Sequence, residues 1–239
     1  MRRAAPLSSA SLRLGVGACL LAFSGASNAQ FGASLGVESD ARFRGISLSG
    51  GRPDLRLSLS YDHASGVYAG VSATRAEFLR DRPTLQWLVD AGRAFRLSPE
   101  LGGEFGFTRT ASVSLESRRY DYTELFAGLS GERWSARAYY APNYFGFDQA
   151  TVYIELDAHA PLTTRLRLFG HLGALSAVSG SDAGDHPRTR GDLRVGLGIG
   201  LMPSTDVQLA WVGATRGGPY VVEYSRRRST WLLSALVSF

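Results

Sequence analysis

The chain has 239 residues, of which 44% are hydrophobic, 11% aromatic and 20% charged, with 28 glycines and one cysteine. The formal net charge of +5 is too small to indicate a nucleic-acid partner, and a single cysteine builds neither a disulfide nor a thiolate metal site. The sequence predicts no cofactor and no metal site. Beyond the first 29 residues no run of about eighteen apolar residues occurs, so no transmembrane helix is predicted.

The first 29 residues have the layout of a secretory signal peptide. Three arginines accompany an apolar run over 14–23, and Ala29 closes a small-x-Ala cleavage site. The run is too short to cross a bilayer as a helix, and it contains the lone Cys19. We therefore predict a cleaved leader over residues 1–29 and one mature domain over residues 30–239.

Twelve segments of alternating apolar and polar residues follow in the mature chain. They span residues 31–47, 54–62, 66–75, 85–96, 100–109, 122–131, 133–141, 151–160, 163–174, 191–201, 205–214 and 229–239. Short links alternate with longer ones, as in outer-membrane barrels with short periplasmic turns and longer extracellular loops. The pattern predicts an all-β fold, a transmembrane antiparallel up-and-down β-barrel of 12 strands.

One face of these strands is apolar, as Leu55, Leu57 and Leu59 illustrate. All four tryptophans belong to this face and lie toward strand ends, where membrane barrels carry girdles of aromatic residues. The last segment alternates in the same way and ends on an aromatic residue. The aromatic residues expected at the membrane interface are Trp87, Trp134, Trp211, Trp231 and Phe239.

The opposite face carries charges of both signs, which a membrane barrel tolerates only in a polar interior. The candidate pore-lining residues are Arg42, Arg44, Arg56, Arg137, Arg167, Arg194, Asp90, Glu104, Glu124, Glu155 and Asp157. Twelve strands lie between the roughly eight that leave a filled interior and the roughly sixteen that enclose an aqueous channel. We expect a narrow pore with weak ion selectivity, or else a lumen plugged by pairs of opposite charges.

Arg42 and Arg44 stand two residues apart near the long-loop end of the first predicted strand. They could form a constriction that positions anions or phosphates through paired hydrogen bonds. Alternatively, they belong to an ion-pair cluster with Asp54 and Arg56 on the neighbouring strand. We favour the ion-pair cluster.

Catalysis is not expected. A lipid hydrolase built on such a barrel needs a serine and a histidine within hydrogen-bond reach. The spacing of His171 and Ser176 does not indicate such a pair, and the sequence has no Gly-x-Ser-x-Gly elbow. In the predicted loops, Asp182 and Asp185 match no strong calcium motif.

The stretch over residues 39–47, Ser-Asp-Ala-Arg-Phe-Arg-Gly-Ile-Ser, resembles the signature near the mature N-terminus of the TorF family, a group of presumed porins of Gram-negative bacteria. Residues 61–62 with 65–70, 122–128 and 144–146 resemble further, less specific stretches of that family. Ala41 departs from the pattern, which usually has an aromatic residue there. The resemblance implies an outer-membrane location and a pore, and it provides no catalytic residues.

The sequence therefore predicts a porin-like channel of the bacterial outer membrane for passive diffusion of ions and small hydrophilic solutes. The alternative is a non-conducting structural or assembly-accessory barrel, and a barrel lipid hydrolase is a more distant one. The expected partners are small solutes, the barrel-insertion machinery through Phe239, and outer-membrane lipid with lipopolysaccharide. The three arginines at 226–228 could bridge lipopolysaccharide phosphates.

The leader gives a direct prediction. Mass spectrometry of the protein recovered from the outer membrane of a Gram-negative host should find Gln30 at the N-terminus. Ala29→Arg should block this processing, because signal peptidase sites require small residues. Recovery of the wild-type chain with its first 29 residues attached would contradict the prediction.

Overall fold

The computed structural model describes residues 29–79, 82–113, 121–146, 148–179, 188–219 and 228–239. Twelve long strands in this part of the chain form a closed antiparallel barrel. In chain order they are β1 (Ala29–Glu38), β4 (Asp54–His63), β5 (Val67–Leu79), β6 (Arg82–Arg96), β7 (Gly102–Val113), β8 (Tyr122–Ser130), β9 (Trp134–Ala141), β10 (Thr151–Pro161), β11 (Leu166–Ala177), β12 (Thr189–Met202), β13 (Thr205–Ala214) and β14 (Ser229–Ser238), and the short strands β2 (Arg42–Phe43) and β3 (Ile46–Ser47) lie between the first two. The predicted leader, apart from Ala29, lies outside the described residues.

Each barrel strand pairs with its sequence neighbours, and β1 closes the barrel by pairing with both β4 and β14. At the closing seam Ser34 lies opposite Ser238, and Glu38 lies opposite Ser234. Closure leaves the twelve described strands without a free edge. The strand number, the antiparallel order and the closure confirm the predicted fold class.

Period-2 alternation gives the barrel wall two different surfaces. On β4, Leu55, Leu57 and Leu59 point outward with 58–60% of their surfaces exposed. Asp54 on the same strand is buried inside and accepts a hydrogen bond from Thr74 of β5. The outside of the wall is therefore an exposed apolar band, and the inside is polar.

The structure differs from the predicted boundaries at several strand ends, among them the end of β1 and the link between β5 and β6. β1 ends at Glu38 instead of continuing over the predicted range 31–47, because residues 39–53 turn back into the barrel. Residues 76–79 and 82–84, in a range predicted as a long link, extend β5 and β6, whose pairing reaches Leu79 and Arg82. The alternation of apolar and polar residues predicts the direction of side chains along an extended segment. It does not predict whether that segment belongs to the barrel sheet.

Helical structure among the described residues is limited to one 3-10 turn, Tyr144–Gly146, in the link between β9 and β10. Its Tyr144 and Phe145 are buried. Across the described ranges, no helix is both long enough and apolar enough to cross a membrane.

Candidate functional site in the barrel lumen

Residues 39–53, here called the inner loop, fold into the long-loop half of the lumen. Its short strands β2 and β3 form a hairpin closed by Arg44 and Gly45, which have φ angles of 48° and 76°. Two consecutive positive φ angles are typical of a type I′ turn. A Cβ placed on Gly45 would lie 2.6 Å from the Cβ of Ala214 and 2.8 Å from that of Asp192. The tip of the hairpin is thus pressed against β12 and β13.

Arg44 fixes the tip to the opposite side of the barrel. Its two terminal nitrogens donate to both carboxylate oxygens of Glu124 on β8, at 2.9 and 2.7 Å. Arg44 is 8% exposed and Glu124 is 3% exposed. The guanidinium also lies over the ring of Tyr153, 4.1 Å from its centroid. A bidentate ion pair with a stacked aromatic ring is the geometry that suits arginine and not lysine.

Burial and charge shift the pKa values of Arg44 and of the nearby Tyr144 in opposite directions. Burial is the largest single influence on the pKa of Arg44 and lowers it, but attraction to Glu124 and to the nearby Tyr144 and Tyr122 together outweighs burial, so this pKa lies well above its ordinary value. Burial raises the pKa of Tyr144, and Arg44 opposes that shift without cancelling it. Arg44 therefore stays charged and Tyr144 stays neutral at physiological pH.

Asp40 organises the base of the inner loop. Its carboxylate accepts hydrogen bonds from Arg42 Nε at 2.7 Å, Ser47 Oγ at 2.5 Å, Ser49 Oγ at 3.2 Å and the backbone N–H of Gly51 at 3.2 Å. A buried carboxylate with several donors is well compensated for its lost hydration. This contact set gives the loop a defined shape of its own.

These contacts correct the predicted roles of Arg42 and Arg44. Neither residue continues the first barrel strand, and both are held in ion pairs inside the inner loop and across the lumen. The partners are Asp40 and Glu124, in place of the expected cluster with Asp54 and Arg56. With both carboxylate oxygens of Glu124 engaged, Arg44 does not have the open fork that an anion-positioning constriction would need.

Apolar side chains fill the lumen around the hairpin. Tyr122 and Tyr144 stack edge to face with ring centroids 4.8 Å apart, and Tyr144 and Phe145 do so at 4.6 Å. The buried cluster comprises Ala41, Leu48, Ala76, Tyr122, Ala141, Tyr144, Phe145, Tyr153 and Leu175. It joins the inner loop to strands β5, β8, β9, β10 and β11. The long-loop half of the barrel thus has a hydrophobic core inside its lumen.

A hydrogen-bonded belt crosses the lumen next to this core. Tyr68 Oη donates to Glu104 at 2.8 Å, and Arg137 Nε donates to the other Glu104 oxygen at 2.6 Å. Arg137 also reaches Tyr139 Oη at 3.5 Å, and Tyr139 donates to Glu155 at 2.9 Å. Five side chains from β5, β7, β9 and β10 are therefore connected.

A second group, here called the acid–histidine cluster, consists of Glu155, Asp157, His171 and Asp192. His171 Nδ1 lies 2.8 Å from Asp157 Oδ1, and its Nε2 lies 3.0 Å from both Asp192 Oδ1 and Tyr153 Oη. The three carboxylates are each 9% exposed or less. The imidazole is thus held between two carboxylates on β10 and β12, the strands on either side of β11.

Toward the short-turn end the lumen contains another ion pair. Both terminal nitrogens of Arg167 donate to Asp206, at 2.7 and 2.5 Å. Gln208 bridges Asp206 to Arg194, with contacts of 2.8 and 3.0 Å, and the Arg194 guanidinium lies 5.3 Å from the centroid of the Phe169 ring. Arginine and carboxylate are again neighbours.

The structure places the remaining predicted lumen residues on the inner face as well. Asp90 is 9% exposed and lies over Gly70, where an added Cβ would come within 2.5 Å of a carboxylate oxygen. Arg56 lines a cavity of about 20 Å³, room for roughly one water, between the inner loop's Phe43 and Leu48 and the wall.

The predicted interface aromatics lie on the outer face. Trp87, Trp134 and Trp211 are 38–41% exposed and Trp231 is 65% exposed. Trp211 and Trp231 are cross-strand partners near the long-loop end, whereas Trp134 and Phe239 lie at the short-turn end. The sequence interpretation missed Phe31, which is 74% exposed and whose ring packs against Tyr61 at the short-turn end.

Within the described residues, His171 and Ser176 do not form the serine–histidine contact that a hydrolase requires. Ser176 Oγ bonds to Thr189 Oγ1 at 2.8 Å, while His171 contacts two aspartates and a tyrosine. The sequence interpretation overlooked the roles of Tyr139 and Tyr153, although both share the inward parity of their charged strand neighbours. The loop residues Asp182, Asp185, Arg226 and Arg227 lie outside the described residues.

Comparisons with known proteins agree with the barrel. A family model described as a bacterial protein of unknown function (Gcw_chp) matches residues 22–84, a range that includes the stretch 39–47, without establishing membership of the TorF family. Among solved structures, the KdgM porin has a TM-score of 0.55 at 13% identity over 87% of this chain and 99% of its own. The NanC porin has a TM-score of 0.58 at 12% identity over 87% and 98%. At such identities the likeness shows the fold alone, and no curated protein matches the sequence.

The Arg44–Glu124 pair gives a prediction about the inner loop. Residues 30–239 contain no cysteine, so in that range Leu48→Cys introduces a single thiol. Because this position is buried, a water-soluble maleimide should label the thiol slowly. Adding Glu124→Gln should accelerate labelling by about tenfold or more, because breaking a buried ion pair costs roughly 3–5 kcal/mol.

The matched control is Glu132→Gln, which removes the same charge from an exposed turn. It should leave the labelling rate of Leu48→Cys unchanged. Fast labelling of the single variant, or equal rates with and without Glu124→Gln, would show that the ion pair does not hold the loop.

Proposed function

We propose that this chain is a porin-like channel of the bacterial outer membrane, with a narrow polar lumen for ions and small hydrophilic solutes. The two-sided barrel wall is the observation that supports it most. Exposed apolar patches of this extent are unusual in soluble proteins, whereas a closed barrel with an apolar outside satisfies its backbone inside a bilayer. The barrel architecture shared with the KdgM and NanC porins supports the same proposal.

The inner loop makes the proposed channel a constricted one. Its hairpin and the surrounding apolar cluster occupy the long-loop half of the lumen, so passage requires the hairpin to move away from Glu124 and from the β12–β13 wall. The short-turn half is lined by charged groups and by glycines such as Gly196 and Gly198. We therefore expect a low conductance that depends on the position of the inner loop.

The charges suggest weak ion selectivity. Arg44, Arg137 and Arg167 each form an ion pair with a carboxylate, so their charges are neutralised locally. One of the similar structures is described as the KdgM porin in complex with disordered oligogalacturonate. The paired arginines of this chain do not favour a polyanionic solute of that kind, and we propose small solutes of either sign.

A non-conducting barrel is the second candidate function. The observation in its favour is the same hydrophobic cluster, since burial of several aromatic rings stabilises the plugged state. In either case we propose that lipid and lipopolysaccharide surround the apolar band, and that the insertion machinery recognises the strand ending at Phe239.

The proposed function is tested by planar-bilayer conductance of the purified protein under a salt gradient. We expect small discrete steps and a reversal potential close to zero. Gly45→Ala should enlarge or lengthen the open steps, because its Cβ would clash with Ala214 and Asp192 at a positive φ angle. The hairpin tip then cannot dock.

Gly51→Ala is the matched control, since Gly51 has a φ of 79° but an added Cβ there meets nothing within 4 Å. It should leave the conductance unchanged. A correctly folded protein that stays silent in the wild type and in Gly45→Ala would overturn the channel and leave the non-conducting barrel.

Membrane insertion has its own test. Leu57→Arg, in the middle of β4, should lower the free energy of unfolding in phospholipid vesicles by roughly 2–4 kcal/mol, as expected for a charge facing lipid at mid-depth. Leu97→Arg, in the turn after β6, is similarly exposed and should cost no more than about 1 kcal/mol. Equal, small effects on urea unfolding would argue against a lipid-facing band.

A further inference from the structure

The acid–histidine cluster combines ligand types that bind metal ions. One atom each from Glu155, Asp157 and His171 lies within 4.8 Å of the others. An imidazole nitrogen and two carboxylates are a typical ligand set for divalent first-row transition ions such as Zn²⁺. Ligands of one such ion, at bond lengths of about 2.0–2.2 Å, can be roughly 4 Å apart. Small side-chain rotations would therefore complete the site.

The surroundings of His171 provide a second, independent observation. A metal-binding histidine almost always donates its other ring N–H to a carboxylate, which fixes the ring and makes it a better ligand. Here Nδ1 faces Asp157, and Nε2 faces Asp192 at 3.0 Å with Tyr153 Oη at the same distance. Glu155 is likewise oriented by the hydroxyl of Tyr139 at 2.9 Å. Two of the three ligands thus have the supporting contacts of a metal site.

The local charge also favours a cation. Three carboxylates that are each 9% exposed or less surround one imidazole, and buried carboxylates require compensation by positive charge. The nearby arginines are engaged elsewhere: Arg137 pairs with Glu104 and Arg44 with Glu124. Arg194, the cross-strand partner of His171, donates to Gln208 and lies over the Phe169 ring. The His171 side chain keeps 14% of its surface exposed, so the imidazole is not sealed off from the lumen.

We propose that Glu155, Asp157 and His171 form a lumenal binding site for a divalent transition-metal ion, with Asp192 as the residue that orients His171. The ion takes the place of the proton between His171 Nδ1 and Asp157, and that proton leaves to solvent. The site joins β10 to β11 just below the tip of the inner loop, where Gly45 contacts Asp192. Calcium and magnesium prefer all-oxygen ligands, so the site should discriminate against them.

The test is isothermal titration calorimetry of the purified protein with ZnCl₂, supported by the visible absorption of bound Co²⁺. We expect one ion per chain and no comparable binding of CaCl₂. His171→Gln and Glu155→Gln should each remove the high-affinity signal. Asp192→Asn should weaken Zn²⁺ binding by about 10–100-fold while leaving the stoichiometry at one, as expected for an orienting residue.

His159→Gln is the matched control, because His159 lies on the inner face of β10 outside the cluster. It should bind Zn²⁺ as the wild type does. Each variant is first checked for the barrel fold by its heat-dependent migration in gels, and Glu155→Gln provides an answer if His171→Gln does not fold. The proposal is overturned if the wild type binds no Zn²⁺ in the micromolar range, or if a folded Glu155→Gln binds it equally well. Because this equilibrium is measured without conduction, its outcome is separate from that of the channel test.

Discussion

The ion pair between Arg44 and Glu124 determines how the lumen is occupied. A guanidinium that is 8% exposed is stable only beside a carboxylate that meets it in two hydrogen bonds. Glu124 is fixed to the wall at β8, whereas Arg44 is in the two-residue turn at the tip of the hairpin. The charge on the wall therefore determines where the hairpin stops. The aromatic rings of Tyr144 and Tyr153 pack around the Arg44 guanidinium, whose position is set by the ion pair with Glu124.

The lumen is consequently divided into two parts that are stabilised by different interactions. The long-loop half resembles the core of a soluble protein, in which each apolar side chain gains from leaving water. The short-turn half is lined mainly by ion pairs and hydrogen-bonded polar side chains, with the buried Phe169 ring among them. A solute that crosses the barrel must displace the hairpin and the apolar side chains of the long-loop half. In the short-turn half it must exchange its hydration water for contacts with polar side chains. The free-energy costs of these two steps determine whether the barrel conducts or stays closed.

Much of the wall was predictable from the sequence, because a closed barrel makes every strand obey the same period-2 pattern. Strand number, pairing order and the direction of side chains such as Leu57 and Asp90 follow from that period. The inner loop was not predictable in this way, since residues 39–47 also alternate, and alternation is shared by a wall strand and a hairpin. The Arg44-Gly45 dipeptide between Phe43 and Ile46 was the local sign of a turn. The contacts of Arg44 and His171 depend on residues from distant strands, which no spacing along the chain can report.

The closing seam has a consequence for the order of assembly. β1 pairs with β14, and the first residue of the inner loop is tied to the same strand, since Ser39 exchanges hydrogen bonds with the backbone of Leu233 in both directions. The strand that completes the cylinder therefore also fastens the entry of the loop. A hairpin left outside when the seam forms would have to pass its charged tip through the narrow mouth of a finished barrel. Folding of the inner loop and closure of the wall are thus coupled. When β14 pairs with β1, the inner loop must already be inside the barrel.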